Sequence, residues 1–217
     1  MRQGIFASSF FQKVRIAIAL TLAVFFTVLM LRLTIPYTSL KIDVDFLATK
    51  QSIIHLEYWR YAFYTHVFAS VFVLLLGVVQ FIPALAYKYK KVHRTIGLAY
   101  VVIVVLLSGP SGFIMGIYAN GGFYAKISFV ILSMLWIGFT ATAYMKALRG
   151  KIEEHKAYMV RSYALTLSAI TLRTYAYIIP SLVHMHGKDE YILIAWLSWV
   201  PNLIVAELLI WRKWTNL

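Results

Sequence analysis

Apolar side chains in this chain come in long uninterrupted blocks rather than at alternate positions or at every third and fourth. The blocks run over about Val14–Leu33, Tyr61–Tyr87, Thr95–Tyr118, Tyr124–Ala147, Tyr158–Val183 and Tyr191–Trp211. A helix needs roughly 20 apolar residues to cross the hydrocarbon of a bilayer, and each block is long enough. Tyr, Trp, Lys and Arg flank the blocks, as interfacial anchors do. The pattern predicts an all-α polytopic membrane bundle of about six transmembrane helices, a single domain over residues 1–217. The first block outruns the apolar core of a signal peptide, and Leu33-Thr34-Ile35-Pro36 offers no small-x-small cleavage site, so it reads as an anchor. Asn120-Gly121-Gly122 marks a tight turn that makes the third and fourth helices an antiparallel hairpin.

Charge then orients the bundle. The chain carries 13% charged residues, about half the density of a soluble domain, and a net charge of +13. With the N-terminus inside, Lys13, Arg15, Lys88, Lys90, Lys91, Arg94, Lys146, Arg149, Lys151 and Lys156 fall on the cytoplasmic side, opposed only by Glu153 and Glu154. The outer segments balance their bases with Asp43, Asp45, Glu57, Asp189 and Glu190. Both termini are therefore expected in the cytoplasm. The basic runs answer to topology and to anionic lipid at that face, which removes the case for a nucleic-acid partner. The chain has no cysteine, which excludes disulfides, thiolate metal sites and iron–sulfur clusters. It also has no paired-carboxylate site, zinc signature or phosphate loop.

The chemistry must come from polar residues inside the blocks, which are costly in lipid and face the bundle interior. At about 100° per residue, three helices carry polar seams, each beginning at a histidine. The second has His66, Ser70, Gly77 and Gln80; the third has His93, Gly97, Tyr100, Ser108 and Ser111. The fifth has His155, Met159, Ser162, Thr166, Arg173, Tyr177 and His184. His93 and His155 fall at the cytoplasmic boundary, while His66, Arg173 and His184 fall in the outer half. Two imidazoles at one depth on neighbouring helices suit bis-histidine haem iron. Arg94, Arg161 and Lys156 would neutralise the propionates. The plainer account has both histidines contacting lipid phosphates or loop carbonyls. His66 is either a haem or metal ligand, a proton-transfer group, or an interhelical hydrogen-bonding residue. Arg173 costs roughly 2.5–3.5 kcal/mol at a central position. It needs a partner: Glu57 or another outer acid, a propionate, or an anionic ligand. The Ser108-Gly109-Pro110-Ser111-Gly112 stretch suits close packing or a thin wall against a flat cofactor or quinone. The Met and aromatic residues of the fourth helix read as plain packing.

Several of these residues form a pattern. His93-Arg94-x-x-Gly97-x-x-Tyr100, the upstream Gly77-x-x-Gln80-Phe81, and His155 with Met159-x-Arg161-Ser162-Tyr163-Ala164-Leu165 and Leu172-Arg173 resemble the bacterial membrane proteins of domain of unknown function family 2306. The likeness covers about Tyr61–Pro180; Lys156 stands where the family pattern has Arg. It implies a multi-pass protein of the bacterial inner membrane and supplies no activity. A looser similarity is to dihaem b-type transmembrane cytochromes, whose ligand pairs lie near opposite faces. His93 and His155 look like one such pair. The fourth helix has no histidine, so His66 would need another partner such as His184. Three functions follow as expectations. The first is a haem b protein exchanging electrons with a quinone or small reductant. The others are an anion transporter or binding protein using Arg173, and a non-catalytic subunit of a larger membrane complex.

Overall fold

A computed structural model describes residues 2–182 and 187–212, with side chains from Lys13 onward. His184 lies outside the described residues. Helix α1 (Arg2–Thr34) leads into two 3₁₀ turns, Ile35–Ser39 and Asp45–Lys50, and then α2 (Glu57–Val79). The block expected as one helix over Tyr61–Tyr87 is divided: Pro83 pushes Ile82 into extended backbone (φ −78°, ψ 114°), and a five-residue α3 (Pro83–Tyr87) follows. α4 (Lys90–Val102), a π-helical segment (Ile103–Ser108) and α5 (Gly109–Ile117) form one continuous span. The π turn lies just before Pro110, which has no N–H and whose ring crowds the carbonyl four residues back; the wider turn absorbs that misfit.

Gly121 and Gly122 take left-handed backbone (φ 81° and 80°) and turn the chain into α6 (Phe123–Leu148). A Cβ on Gly121 would also sit 2.6 Å from the Tyr191 ring. α7 (Ile152–Thr166) and α8 (Ser168–Leu182) are separated at Leu167. α9 (Gly187–Leu197) and α10 (Val200–Trp211) are separated at Ser198–Trp199, next to Pro201.

Five described segments are long and apolar enough to cross a membrane: Lys13–Ser39, Glu57–Val79, Lys90–Ile117, Phe123–Leu148 and Gly187–Trp211. The block expected as a single helix over 158–183 is instead the broken pair α7 and α8. α7 packs on α6 and α10, and α8 packs on α9, so the broken pair runs antiparallel beside the α9–α10 span. The result is an all-helical polytopic bundle.

Much of its surface is apolar, with Leu22, Phe25, Leu106 and Ile204 turned outward, as lipid requires. Since lipid is as apolar as the interior, small residues and buried hydrogen bonds must hold the helices. Gly77 shows the need: a Cβ there would lie 2.4 Å from the Tyr163 ring, whose hydroxyl donates to the Leu74 carbonyl at 3.1 Å. One core cluster gathers Val73, Tyr100, Trp136, Met159 and Trp199 mid-bundle. A second gathers Tyr37, Leu47, Trp59 and Phe63 under the outer loop.

Candidate functional site

The middle of the bundle is tied by one buried hydroxyl network. Tyr100 Oη bonds Ser162 Oγ at 2.8 Å and Thr166 Oγ1 at 2.9 Å. Trp136 Nε1 donates to Thr166 Oγ1 at 3.1 Å, and Thr140 Oγ1 bonds Ser162 Oγ at 2.6 Å. Tyr100, Ser162 and Thr166 lie on the seams read from the sequence. Trp136 and Thr140 do not: their helix was expected to pack without polar work, and their spacing of four on α6 was the available signal.

This network sets the level of the histidines. His93 precedes Tyr100 by seven residues and His155 precedes Ser162 by seven, so each lies on the same helix face about 10 Å nearer the basic end. α2 and α6 each pack against both α4 and α7, whereas α4 and α7 do not pack closely on one another. His93 and His155 therefore sit on diagonal helices of a four-helix group, and each is an electrostatic neighbour of the other.

Their nitrogens are committed differently. His155 Nδ1 lies 2.9 Å from the Ala143 carbonyl, which can only accept, so Nδ1 carries the proton and Nε2 keeps a lone pair. Such a bond to a carbonyl is the support usually found behind a ligating imidazole. His93 Nδ1 faces Gln80. With its amide turned to suit its neighbours, Gln80 donates to His93 Nδ1 at 3.0 Å and to the His93 carbonyl at 3.1 Å, and accepts from Gly97 N–H at 3.2 Å. In that arrangement the proton of His93 is on Nε2.

The basic residues around the pair are unequally available. Arg161 makes a bidentate pair with Glu207 (2.6 and 2.8 Å) and lies over the Tyr158 ring. Lys156 bonds Glu153 at 2.8 Å. Lys146 and Lys151 both hydrogen-bond Glu154, holding its carboxyl below the usual range. Arg94 is exposed beside His93.

His66 and Arg173 belong to the other half. His66 Nδ1 donates to the Ser108 carbonyl at 2.8 Å, and its ring packs on Gly112, where a Cβ would approach Cε1 to 3.0 Å. The nearby hydroxyls of Ser70 and Ser108 are buried without a partner among the described residues. Arg173 donates to the Ala169 carbonyl at 2.8 Å and is an electrostatic neighbour of Tyr37 and His66. Glu57, one acid expected for it, pairs with Arg60 at 3.7 Å. No carboxylate lies within ion-pair range of Arg173 among the described residues. Arg173 is eighteen residues beyond His155, ~25 Å along the span, so it serves neither inner histidine. Among the described residues no three His, Cys, Asp or Glu side chains converge as a metal site.

One residue that the sequence did not flag is Lys50, almost fully buried under the outer loop. Its ammonium donates to the Tyr118 carbonyl at 2.5 Å and to Asn120 Oδ1 at 2.6 Å. Burial, with a smaller push from Lys126, brings it down to about 8.

The sequence pattern of the family described as "Predicted membrane protein (DUF2306)" matches residues 63–210, from the first turns of α2 to the end of α10. No curated protein and no solved structure matches the chain.

Proposed function

This chain belongs to the DUF2306 family of membrane proteins, and we propose that it is a b-type haem protein of the bacterial cytoplasmic membrane, passing electrons to or from a quinone or small reductant. The observation that supports this reading is the placement of His93 and His155. They lie on diagonal helices, two turns below the Tyr100–Ser162 bond, as electrostatic neighbours, with helices α4 and α7 held apart by α2 and α6.

His155 fits the group as it stands, and His93 fits it at the cost of the Gln80 bonds. His155 already presents Nε2 as a free lone pair, held by its bond to the Ala143 carbonyl. For His93 to do the same, the Gln80 amide turns its oxygen toward Nδ1–H, giving up its bonds to the His93 carbonyl and from Gly97 N–H. Arg94 is the base free to meet a propionate, since Arg161 is engaged by Glu207. Haem bound there supplies a one-electron couple. The buried Tyr100 network lies above the pair, and the basic end of the bundle lies against anionic lipid. Electron exchange with a larger membrane complex is compatible with the same site.

The test is an absorption spectrum of the protein purified from haem-supplemented cells. The expected result is a Soret band that sharpens on dithionite reduction, lost in His93→Ala and in His155→Ala and kept in His66→Ala. A wild-type protein without a Soret band after supplementation sinks the reading.

A further inference from the structure

We propose that the groove between α1 and α8 binds one anionic phospholipid of the outer leaflet, its phosphate held by Arg173. This inference is independent of the haem reading.

Arg173 is the only charged residue of α8. Insertion of such a residue into a span is costly, and arginines at membrane depth are ordinarily matched by an acid, a carbonyl set or a ligand. Here no acid is in range among the described residues, and the guanidinium has one carbonyl, from its own helix. Four of its five N–H donors are left without a protein acceptor in the contacts described. That is a positive charge awaiting an anion.

The surroundings say what kind of anion. α1 leans on α2 and α8 on α9, while α1 and α8 do not pack closely on each other, which leaves a lateral groove between them. Phe26, Leu29 and Leu33 form its α1 wall, and Ile170 and Ile178 form its α8 wall, with Arg173 the single charge in the lining. A small hydrophilic anion gains nothing from those walls. A phosphate carrying acyl chains fills both parts: the chains lie along Phe26 and Ile170, and the phosphate meets the guanidinium.

Depth is consistent with this. α1 ends at Thr34 and α8 reaches Leu182, so the groove opens toward the loop side, the outer leaflet by the charge asymmetry. Arg173 now bends back to Ala169, one turn toward the midplane. Swung the other way along α8, the long side chain reaches the level of Tyr177, which lines the mouth of the groove and is 86% exposed. There it meets headgroup phosphate, and the guanidinium charge favours an anionic headgroup over a zwitterionic one. The family match begins at residue 63, so the α1 wall lies outside it, and the lipid would act as a seam joining α1 to the matched helices.

The experiment is native mass spectrometry of the full chain in non-ionic detergent, titrated with phosphatidylglycerol, phosphatidylcholine or inorganic phosphate. We expect one phosphatidylglycerol retained in preference to phosphatidylcholine, with no competition from inorganic phosphate. Arg173→Gln should weaken that binding about tenfold or more, as loss of a charge-assisted hydrogen bond implies. Leu29→Trp keeps the arginine but fills the groove, and should weaken binding equally; it decides the matter if Arg173→Gln does not fold. Equal retention of both lipids, displacement by inorganic phosphate, or unchanged binding in Leu29→Trp overturns the proposal.

Discussion

Lys50 illustrates how a residue that looks like ordinary loop charge can hold two segments together. Its side chain is buried, its ammonium lies over the Phe46 ring, and it reaches across to the turn between α5 and α6. Thr49 adds a bond from Asn120 at 3.3 Å, so the outer loop is latched to Tyr118 and Asn120. Burial disfavours the charged form, which brings the folded-state value down to about 8 from the 10.5 of a free lysine. Between those two values the unfolded chain holds a proton that the folded chain has released, so stability gains with rising pH over that window. Below it, Lys50 is protonated in both states and contributes no slope. The expected outcome is that the thermal midpoint of wild type rises relative to that of Lys50→Met, measured in the same detergent, as pH goes from 7.5 to 9.5 (about one unit inside the window on its upper side). Parallel curves for the two proteins would show that the site does not titrate there.

Among the elements, the interruptions say more than the helices. The π segment, Leu167 and Ser198–Trp199 each fall near the middle of a span. Discontinuous spans of this kind can carry binding sites, because freed carbonyls and N–H groups need partners. Two of the three breaks satisfy each other. Thr171 Oγ1 donates to the Ser198 carbonyl, and Asn202 Nδ2 spans Thr171 Oγ1 (3.1 Å), the Ala164 carbonyl (3.3 Å) and the Ser198 carbonyl (3.2 Å). Asn202→Leu strands these acceptors at membrane depth. It should lower stability by about 1–2 kcal/mol, the range of interhelical polar bonds in lipid, as read from unfolding in detergent mixtures. A change within error would mean that α7–α8 and α9–α10 are held by packing alone. Hydropathy made the spans visible because lipid demands apolar blocks of a set length. It did not reveal the break at Leu167, since Thr166-Leu167-Ser168 contains no proline or glycine and its non-helical turn depends on Thr171 and Asn202 across the interface. Of the site, the seams brought out His66, His93, His155, Tyr100, Ser162 and Thr166, because polar side chains stand out against lipid-facing blocks. Trp136, Thr140 and the pairing of Arg161 with Glu207 stayed hidden, since their partners are set by tertiary contacts that periodicity on one helix does not encode.

For the whole molecule, the decisive quantity is the number of crossings, and the broken pair α7–α8 is where it turns. If those two helices cross, Lys188 shares a side with the outer loop. If they only lie in the interface, Lys188 shares a side with Arg149, and the last span runs the opposite way. The packing of α7 on α10 and of α8 on α9 supports the first arrangement, because α9 and α10 are successive halves of one span. The positive-inside rule points the same way, with Lys146, Arg149 and Lys151 on one side and Asp189 and Glu190 on the other. The chain has no cysteine, so single introduced thiols report without interference. Asp43, Arg149 and Lys188 are all exposed positions. In intact cells, a membrane-impermeant maleimide should label Asp43→Cys and Lys188→Cys and leave Arg149→Cys untouched. In inverted vesicles the order should reverse. Labelling of Lys188→Cys together with Arg149→Cys would reduce the crossings to five. It would also turn α9–α10 over, separating α8 from α9 and α7 from α10, and so dissolve the Thr171–Ser198–Asn202 bridge. The topology and the hydrogen bonds at the midplane breaks therefore stand or fall on one measurement.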